Sequence, residues 1–573
     1  MLKFFSSSDT FRWLAPVFLV LSLFLIYIFT LAPDLNWAHD AADGGDLITA
    51  AATGGVPHPS GYPTFVWLAR LFQFIPLGTI AYRTNLMLAV FTTLTALLIY
   101  DIVVASPNSP AKENRLAGLI AGYAYGLSPL AWAQAVITEV YGVHIFFVAL
   151  VVWLLVGRYA DSPNKPLHDV AIGLSMGLAM GNHLTSTALL PVALLAGIVH
   201  PPSPEPEQPK GKKIPKRQKD SQAFVNWASI DWASIDWASL GRRLSVVVIG
   251  LLLIYASILW RASTKAPINW NYADNLNNLW LLVSGALYQR LAFSLPIGEA
   301  LLRLISIAQL LLTQFGILGL LVGIYHLFGK ISPSRLLWIT AWVAVTHTIF
   351  SLGYASTDSF LYLLPLFLVF AIWIGFGVGN ITRLLAQQKN WLRLGTSILL
   401  LVSFWGMAVL NYPKLDLSAD HQTQKFTKAV FAALPPNAIV IAKGDRALFS
   451  LWYYHFVIKE RPDIAVLSFG LLRNAWYIDV LHDTYSTLNL PMKDVVSDSG
   501  PLGVDTSGVE TEAEAETLLA NFIGQANPTR PVCNVTIIYE QTSPMGQRSV
   551  VCYSPASQKS DTPLISILEP MDE

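Results

Sequence analysis

The segment 33–82 gathers groups able to move protons: His39, Asp40, Asp43, Asp46, His58 and Tyr62, the last two within Pro57-His58-Pro59-Ser60-Gly61-Tyr62-Pro63. Asp43 and Asp46 stand three residues apart, and Asp46 opens the helix-like run Leu47-Ile48-Thr49-Ala50-Ala51-Ala52. At that spacing both carboxylates can face the same way. A carboxylate within hydrogen-bond reach of a hydroxyl can act as its general base. Asp43 has a second reading, as the cap of the helix that follows it.

Further polar groups stand at the ends of long apolar runs. Glu139 begins one run, His144 lies one to two turns into it, and Asn182-His183 divides another. Acidic and imidazole groups at membrane depth are costly unless they are paired or used. Carboxylates collected at one membrane surface suit a reaction in which an acceptor hydroxyl is deprotonated while a sugar leaves a phosphate carried on a lipid. The departing phosphate needs positive charge from Arg, Lys or a metal. Arg290, in the segment 263–300, is the candidate, with Arg83 and Arg261 as rivals that can also snorkel at the interface. A divalent metal held by His58, His183 and Asp46 stays open, since no tight ligand spacing demands one.

These groups need a scaffold, and composition says which kind. Of 573 residues, 53% are hydrophobic and 13% charged, and the formal net charge is zero. Such a chain needs lipid as its solvent, and zero net charge argues against a nucleic-acid partner. Apolar runs near 13–32, 83–104, 116–134, 139–157, 168–182, 185–199, 244–262, 301–327, 336–353, 359–379 and 394–411 predict about eleven membrane helices. Lys3 and Arg12, Lys112 and Arg115, Arg158 and Lys165, Lys330 and Arg335, and Arg383, Lys389 and Arg393 fall in alternate loops, which are therefore cytoplasmic. Reading 168–199 as a hairpin with Asn182-His183 at its outer tip keeps Lys210 to Lys219, Arg242 and Arg243 inside. The N-terminus is then cytoplasmic, and the segment 33–82 and residues 412–573 are not.

Residues 200–243 read as a basic linker carrying a local duplication, Trp227-Ala228-Ser229-Ile230-Asp231, repeated at Trp232 and begun again at Trp237. Residues 1–411 form the expected membrane catalytic domain. Beyond Tyr412-Pro413, a helical stretch at 419–434 and β-branched runs at 438–442, 464–467 and 535–539 predict an exported α/β domain over 412–573. Gly444-Asp445-Arg446 follows the first of these strands, where such domains present ligand contacts, although a plain turn explains it equally well. The only cysteines, Cys533 and Cys552, both lie in this domain. A disulfide suits an oxidising compartment, with two buried free thiols as the alternative.

Asp43-Gly44-Gly45-Asp46-Leu47-Ile48-Thr49-Ala50-Ala51, Val56-Pro57-His58-Pro59-Ser60-Gly61-Tyr62-Pro63 and Ala81-Tyr82-Arg83-Thr84-Asn85 closely resemble the opening signature of the transmembrane protein O-mannosyltransferase-like family. The similarity continues through Thr138-Glu139-Val140-Tyr141, Gly181-Asn182-His183-Leu184-Thr185 and Trp280 to Arg290. Leu434-Pro435-Pro436-Asn437, Gly444-Asp445 and Arg461-Pro462-Asp463 look like its bacterial branch. The resemblance implies a polytopic GT-C glycosyltransferase that uses a polyprenyl-phosphate sugar donor, its acidic pair matching Asp43 and Asp46. The family often has Glu where this chain has Asp46, which leaves open which carboxylate is the base. His58 and Tyr62 match its His-Pro-x-Gly-Tyr-Pro element. Glu139, Asn182 and His183 match later signature positions and, with Arg290, are the expected substrate-binding residues. The expectation is transfer of a hexose such as mannose to an exported protein or glycan. The alternative is a transporter or lipid-linked sugar flippase, which would space charges along helix interiors.

Overall fold

The computed structural model describes residues 10–105, 111–156, 165–198, 235–328, 334–386, 390–490, 512–538, 547–553 and 565–570. α1 (Thr10–Thr30) is followed by two short helices, α2 (Gly44–Thr53) and α3 (Pro63–Gln73), and then by α4 (Ile80–Val104). Thr79 starts α4 by accepting the Tyr82 N–H at 3.0 Å. In place of one helix over 116–134 there are two, α5 (Ala111–Gly126) and α6 (Pro129–Ala135), bent by 68°. Pro129 cannot donate the bond that would continue α5, and it drives Ser128 into an extended conformation.

α7 (Tyr141–Val156) and α8 (Lys165–Asn182) come next. The run expected over 185–199 is a 3-10 turn, Leu184–Leu189, and the six-residue α9 (Leu190–Leu195). At about 20 Å it is shorter than a bilayer core. α10 (Trp237–Ser263) begins earlier than the expected 244, because Asp236 caps it by accepting the Ser239 N–H at 2.9 Å. Arg242 and Arg243 therefore lie in its first turns, where both bond Asp169 of α8. The Trp227 copy of the repeat and Lys210 to Lys219 fall outside the described residues.

α11 (Leu276–Val283), α12 (Ile297–Phe328), α13 (Ser334–Gly353), α14 (Leu364–Ala386) and α15 (Asn390–Leu415) complete the bundle. Seven described helices are long and apolar enough to cross a membrane, or eight if the bent α5–α6 pair counts as one. All the expected runs are helical, but not all have the length of a full span. The span ending in α14 is the central one, 94% of its apolar window being buried. α1, α10, α12 and α15 instead expose Phe18, Leu253, Leu302 and Leu410, a surface that only lipid solvates well. The chain is an integral membrane protein.

Past the bundle, α16 (Gln422–Ala433), β1 (Ile439–Lys443), α17 (Asp445–Trp452), β2 (Ala465–Ser468), α18 (Ala475–Thr484), α19 (Glu512–Ala526), β3 (Val532–Ile538), β4 (Gln547–Tyr553) and β5 (Ile565–Pro570) form an α/β unit. Its sheet runs β2-β1-β3-β4-β5. β1 pairs in parallel with β2 and β3, and the last two pairings are antiparallel. Cys533 and Cys552 face each other across β3 and β4 and are disulfide-bonded.

This unit sits on the segment between α1 and α4. Leu35, Trp37 and Ile48 share one apolar core with Ile439, Phe449 and Tyr453. The Tyr453 and Tyr454 hydroxyls donate to the two oxygens of buried Asp34, at 3.1 and 2.8 Å, and Trp37 Nε1 donates to Ser450 Oγ at 2.9 Å. At the closest point, a Cβ added to Gly45 would stand 2.4 Å from the carbonyl oxygen of Phe449. Backbone cannot yield as a flexible side chain would. Gly45→Ala should therefore destabilise the protein by about 1–3 kcal/mol, overpacking outweighing the gain in helix propensity. Thermal unfolding in detergent measures this, and an unchanged or raised midpoint would show that α2 and α17 are not so tightly opposed.

Candidate active site

Asp46 is the third residue of α2 and is wholly buried. Gly54, in the left-handed region at φ 79°, ends the helix. Gly55 then passes so close to Ile268 that a Cβ would lie 2.1 Å from its carbonyl oxygen. That approach allows a short parallel bridge, in which Val56 N–H donates to Ile268 O at 2.8 Å and Trp270 N–H to Val56 O at 3.1 Å. The bridge sets the Trp270 indole over the helix, and its Nε1 donates to Asp46 Oδ1 at 3.1 Å. Asp46 Oδ2 accepts the His58 backbone N–H at 2.9 Å and lies 2.7 Å from His58 Nδ1.

His58 Nε2 points the other way and stands 3.4 Å from Asp43 Oδ2. The two predicted carboxylates thus flank one imidazole. Asp43 occupies the N-cap position of α2 but makes no capping bond with its side chain, so its carboxylate is left to face solvent. Its side chain keeps 39% of its surface exposed, against 7% for His58 and none for Asp46.

The electrostatics follow from this arrangement. Burial alone would lower the His58 pKa, but Asp43 and the hydrogen-bonded Asp46 outweigh it and hold the imidazole up to about 9. At neutral pH an imidazolium therefore sits between the two carboxylates. Asp43, recessed among protein atoms that exclude most water, is raised to about 6; His58 pulls it down, while Asp445 and Asp46 push it up. A carboxylate so tuned is ionised at neutral pH yet close to its working range as a base.

The other predicted residues divide into two groups. Glu139, buried, accepts the Asp43 backbone N–H at 3.3 Å and pins the start of α2. Tyr62 holds φ 39° at the start of α3, a strained value for a residue with a side chain. Its hydroxyl donates to Pro59 O at 3.1 Å, and its ring meets His58 edge-on at 5.0 Å and His183 at 6.3 Å. Asn182 donates to Val140 O at 3.1 Å, and His183 Nδ1 bonds Thr185 Oγ1 at 2.7 Å. The His183 and His144 rings lie 4.8 Å apart. These residues form one polar floor beside Asp43.

The basic residues and His39 lie apart from that floor. Arg290 lies on the exposed 3-10 turn Ala286–Leu291, two residues from Tyr288, which is within electrostatic range of Asp43, Asp445 and Asp46. Among the described residues it makes no ion pair with those carboxylates. Arg83 donates to the carbonyls of Gln73, Leu77 and Gly78, and Arg261 to those of Ala50 and Gly55, so both are backbone clamps. His39 neighbours Asp40 and Asp420 rather than Asp46.

A metal on Asp46, His58 and His183 does not fit this geometry. Both Asp46 oxygens and His58 Nδ1 are engaged with one another and with Trp270, and His183 Nδ1 is engaged with Thr185. Among the described residues no group of three His, Cys, Asp or Glu is placed to hold an ion.

Sequence reading missed Trp270, Tyr288 and Asp358 as neighbours of the cluster. Asp358 acts electrostatically on Asp43 and accepts the Tyr141 hydroxyl at 3.5 Å. All three come from later loops, and no local spacing links them to 33–82. The one available signal for Trp270 was a buried carboxylate with an oxygen still to satisfy.

Residues 43–204 match the family described as protein O-mannosyl-transferase TMEM260 N-terminal domain, and residues 423–497 match TMEM260-associated domain 2. The chain is 24% identical over 470 residues to the Mus musculus protein O-mannosyl-transferase TMEM260, covering 76% of this chain and 60% of that one. It is 22% identical over 514 residues to the Dictyostelium discoideum protein of the same name, covering 80% and 58%. The chain thus spans about three fifths of the length of these relatives. Crystal structures of ArnT from Cupriavidus metallidurans share its fold. The undecaprenyl phosphate complex has a TM-score of 0.52 at 11% identity, over 80% of this chain and 91% of that one. The apo form gives 0.55 at 10% identity, over 93% and 94%. In sequence, therefore, the chain resembles the TMEM260 O-mannosyl-transferases over residues 43–204 and 423–497, and in fold it resembles ArnT.

Proposed function

We propose that this chain is a membrane glycosyltransferase that moves a sugar, a hexose such as mannose, from a polyprenyl-phosphate donor to a hydroxyl of an exported protein or glycan. The observation that carries the reading is the buried relay Asp46–His58–Asp43, whose outermost carboxylate alone reaches solvent. The names of the relatives and the ArnT complex with undecaprenyl phosphate support the same class of donor and acceptor.

In this mechanism Asp43 takes the proton of the acceptor hydroxyl as its oxygen bonds to the anomeric carbon. The bond from that carbon to the lipid phosphate breaks, and the phosphate leaves with the electron pair. Asp46 does not touch substrate; it holds His58 charged and oriented, and His58 keeps Asp43 ionised. Arg290 is the cation assigned to the departing phosphate. Tyr62, Glu139, Asn182 and His183 shape the floor on which the sugar rests. The alternating Lys and Arg pattern and the Cys533–Cys552 bridge support a cytoplasmic N-terminus, with the first loop and the α/β unit on the opposite side.

Three outcomes are expected. Asp43→Asn should lower transfer of radiolabelled sugar from a panel of polyprenyl-phosphate donors by about 10²–10⁴-fold at unchanged expression, the range for loss of a general base. Full activity in this variant would remove the mechanism. The pH–rate profile of the wild type should fall on the acid side of about pH 6, where Asp43 protonates. In His58→Gln, loss of the neighbouring cation raises the Asp43 pKa, so the acid limb should shift to higher pH. A limb that stays in place would mean that His58 does not govern the base.

A further inference from the structure

Resting on that reading, the geometry points to Asp445 of the C-terminal α/β unit as a residue that binds the acceptor, so that the site is completed by a domain other than the one carrying the base. The chain leaves β1 at the carboxyl edge of the sheet and turns through Gly444, whose φ of 81° with ψ of 148° is open essentially to glycine alone. Asp445 is the next residue and the first of α17. β1 has a parallel neighbour on each side, β2 and β3. Open α/β sheets bind ligands beyond the carboxyl ends of their strands, where connections depart to opposite sides.

In this protein that edge faces the first loop. The contact of Phe449 with Gly45 and the bonds of Tyr453 and Tyr454 to Asp34 lock α17 against α2. Asp445 consequently lies within electrostatic range of Asp43, Asp46 and His58. Its side chain is exposed and makes no hydrogen bond or ion pair among the described residues. Asp43 and Asp445 are thus two carboxylates with exposed surface within electrostatic range of His58, and the hydrogen bonds of His58 Nδ1 and the Asp46 oxygens are already committed elsewhere. A carboxylate only accepts hydrogen bonds. Asp445 therefore suits an N–H or O–H of the acceptor beside the hydroxyl that Asp43 deprotonates. Placement at a helix N-terminus gives Asp445 a favourable dipole, a structural role that would leave acceptor kinetics untouched.

The test is steady-state kinetics of the full chain in lipid, with donor and acceptor varied separately, for wild type, Asp445→Asn and Asp445→Glu. The expected result for Asp445→Asn is an acceptor KM raised about tenfold or more, the scale of a lost hydrogen bond to a charged group. Donor KM, kcat and thermal midpoint should stay near wild type, and Asp445→Glu should recover most of the loss. An unchanged acceptor KM, or a fall in kcat at unchanged acceptor KM, overturns the assignment while leaving the glycosyltransferase reading intact. A wild type that transfers no sugar from any donor would overturn both.

Discussion

A carboxylate without water must find its partners within the protein, and Asp46 is such a group: wholly buried, three residues into a helix that lies outside the membrane spans. Left unpaired, an ion in that position costs several kcal/mol, so both its oxygens must be met. The partners are His58, through backbone and ring, and Trp270. To supply them, the chain after α2 must fold back on the helix, and the segment between α10 and α11 must cross to it. The left-handed Gly54, the close approach at Gly55 and the Val56–Asn269 bridge serve that requirement. Once Asp46 is satisfied, the far side of the His58 ring has one place to point, and Asp43 is there.

The same economy of space governs how the α/β unit is seated. Helix α2 presents Gly45 to α17, and the absence of a side chain lets two backbones touch. Around that contact, Asp34 binds two tyrosine hydroxyls, and the apolar residues of the first loop join the core of the sheet. The first loop is therefore held from both sides, by the membrane helices through Glu139, Arg83 and Arg261 and by the soluble unit through Asp34 and Gly45. Rigid support of this kind suits the proposed base, whose pKa depends on distances of a few ångströms.

Much of this was legible in the chain. Apolar runs locate membrane helices because nothing else satisfies backbone groups in lipid, and all of them are helical, although α6 and α9 are too short to span alone. The β-branched runs expected at 438–442, 464–467 and 535–539 supply β1, β2 and β3 for the reason given by their composition, and the facing cysteines are joined. Asp43, Asp46 and His58 were recognisable as a set, since a helical spacing of three and a nearby His-Pro turn are local facts. Arg290 was not settled in this way. A long loop brings it to the right region, but its head remains on the surface.

By itself the sequence determined the solvent, the helices and the α/β character of the tail, and it set Asp43 and Asp46 three residues apart as the candidate acidic pair, because each rests on composition or on spacings within a few residues. It could not assign roles within the pair. Asp43 and Asp46 are chemically identical, and only the packing of Trp270 and His58 around one of them leaves the other open to solvent. Nor could it place Asp445 beside them, some 400 residues along the chain. That juxtaposition depends on a glycine small enough for two helices to meet, and on a tyrosine pair reaching an aspartate at the end of the first membrane helix. Such contacts are set by the shapes of surfaces brought together from distant parts of the chain, and these exist only once the bundle and the sheet have formed.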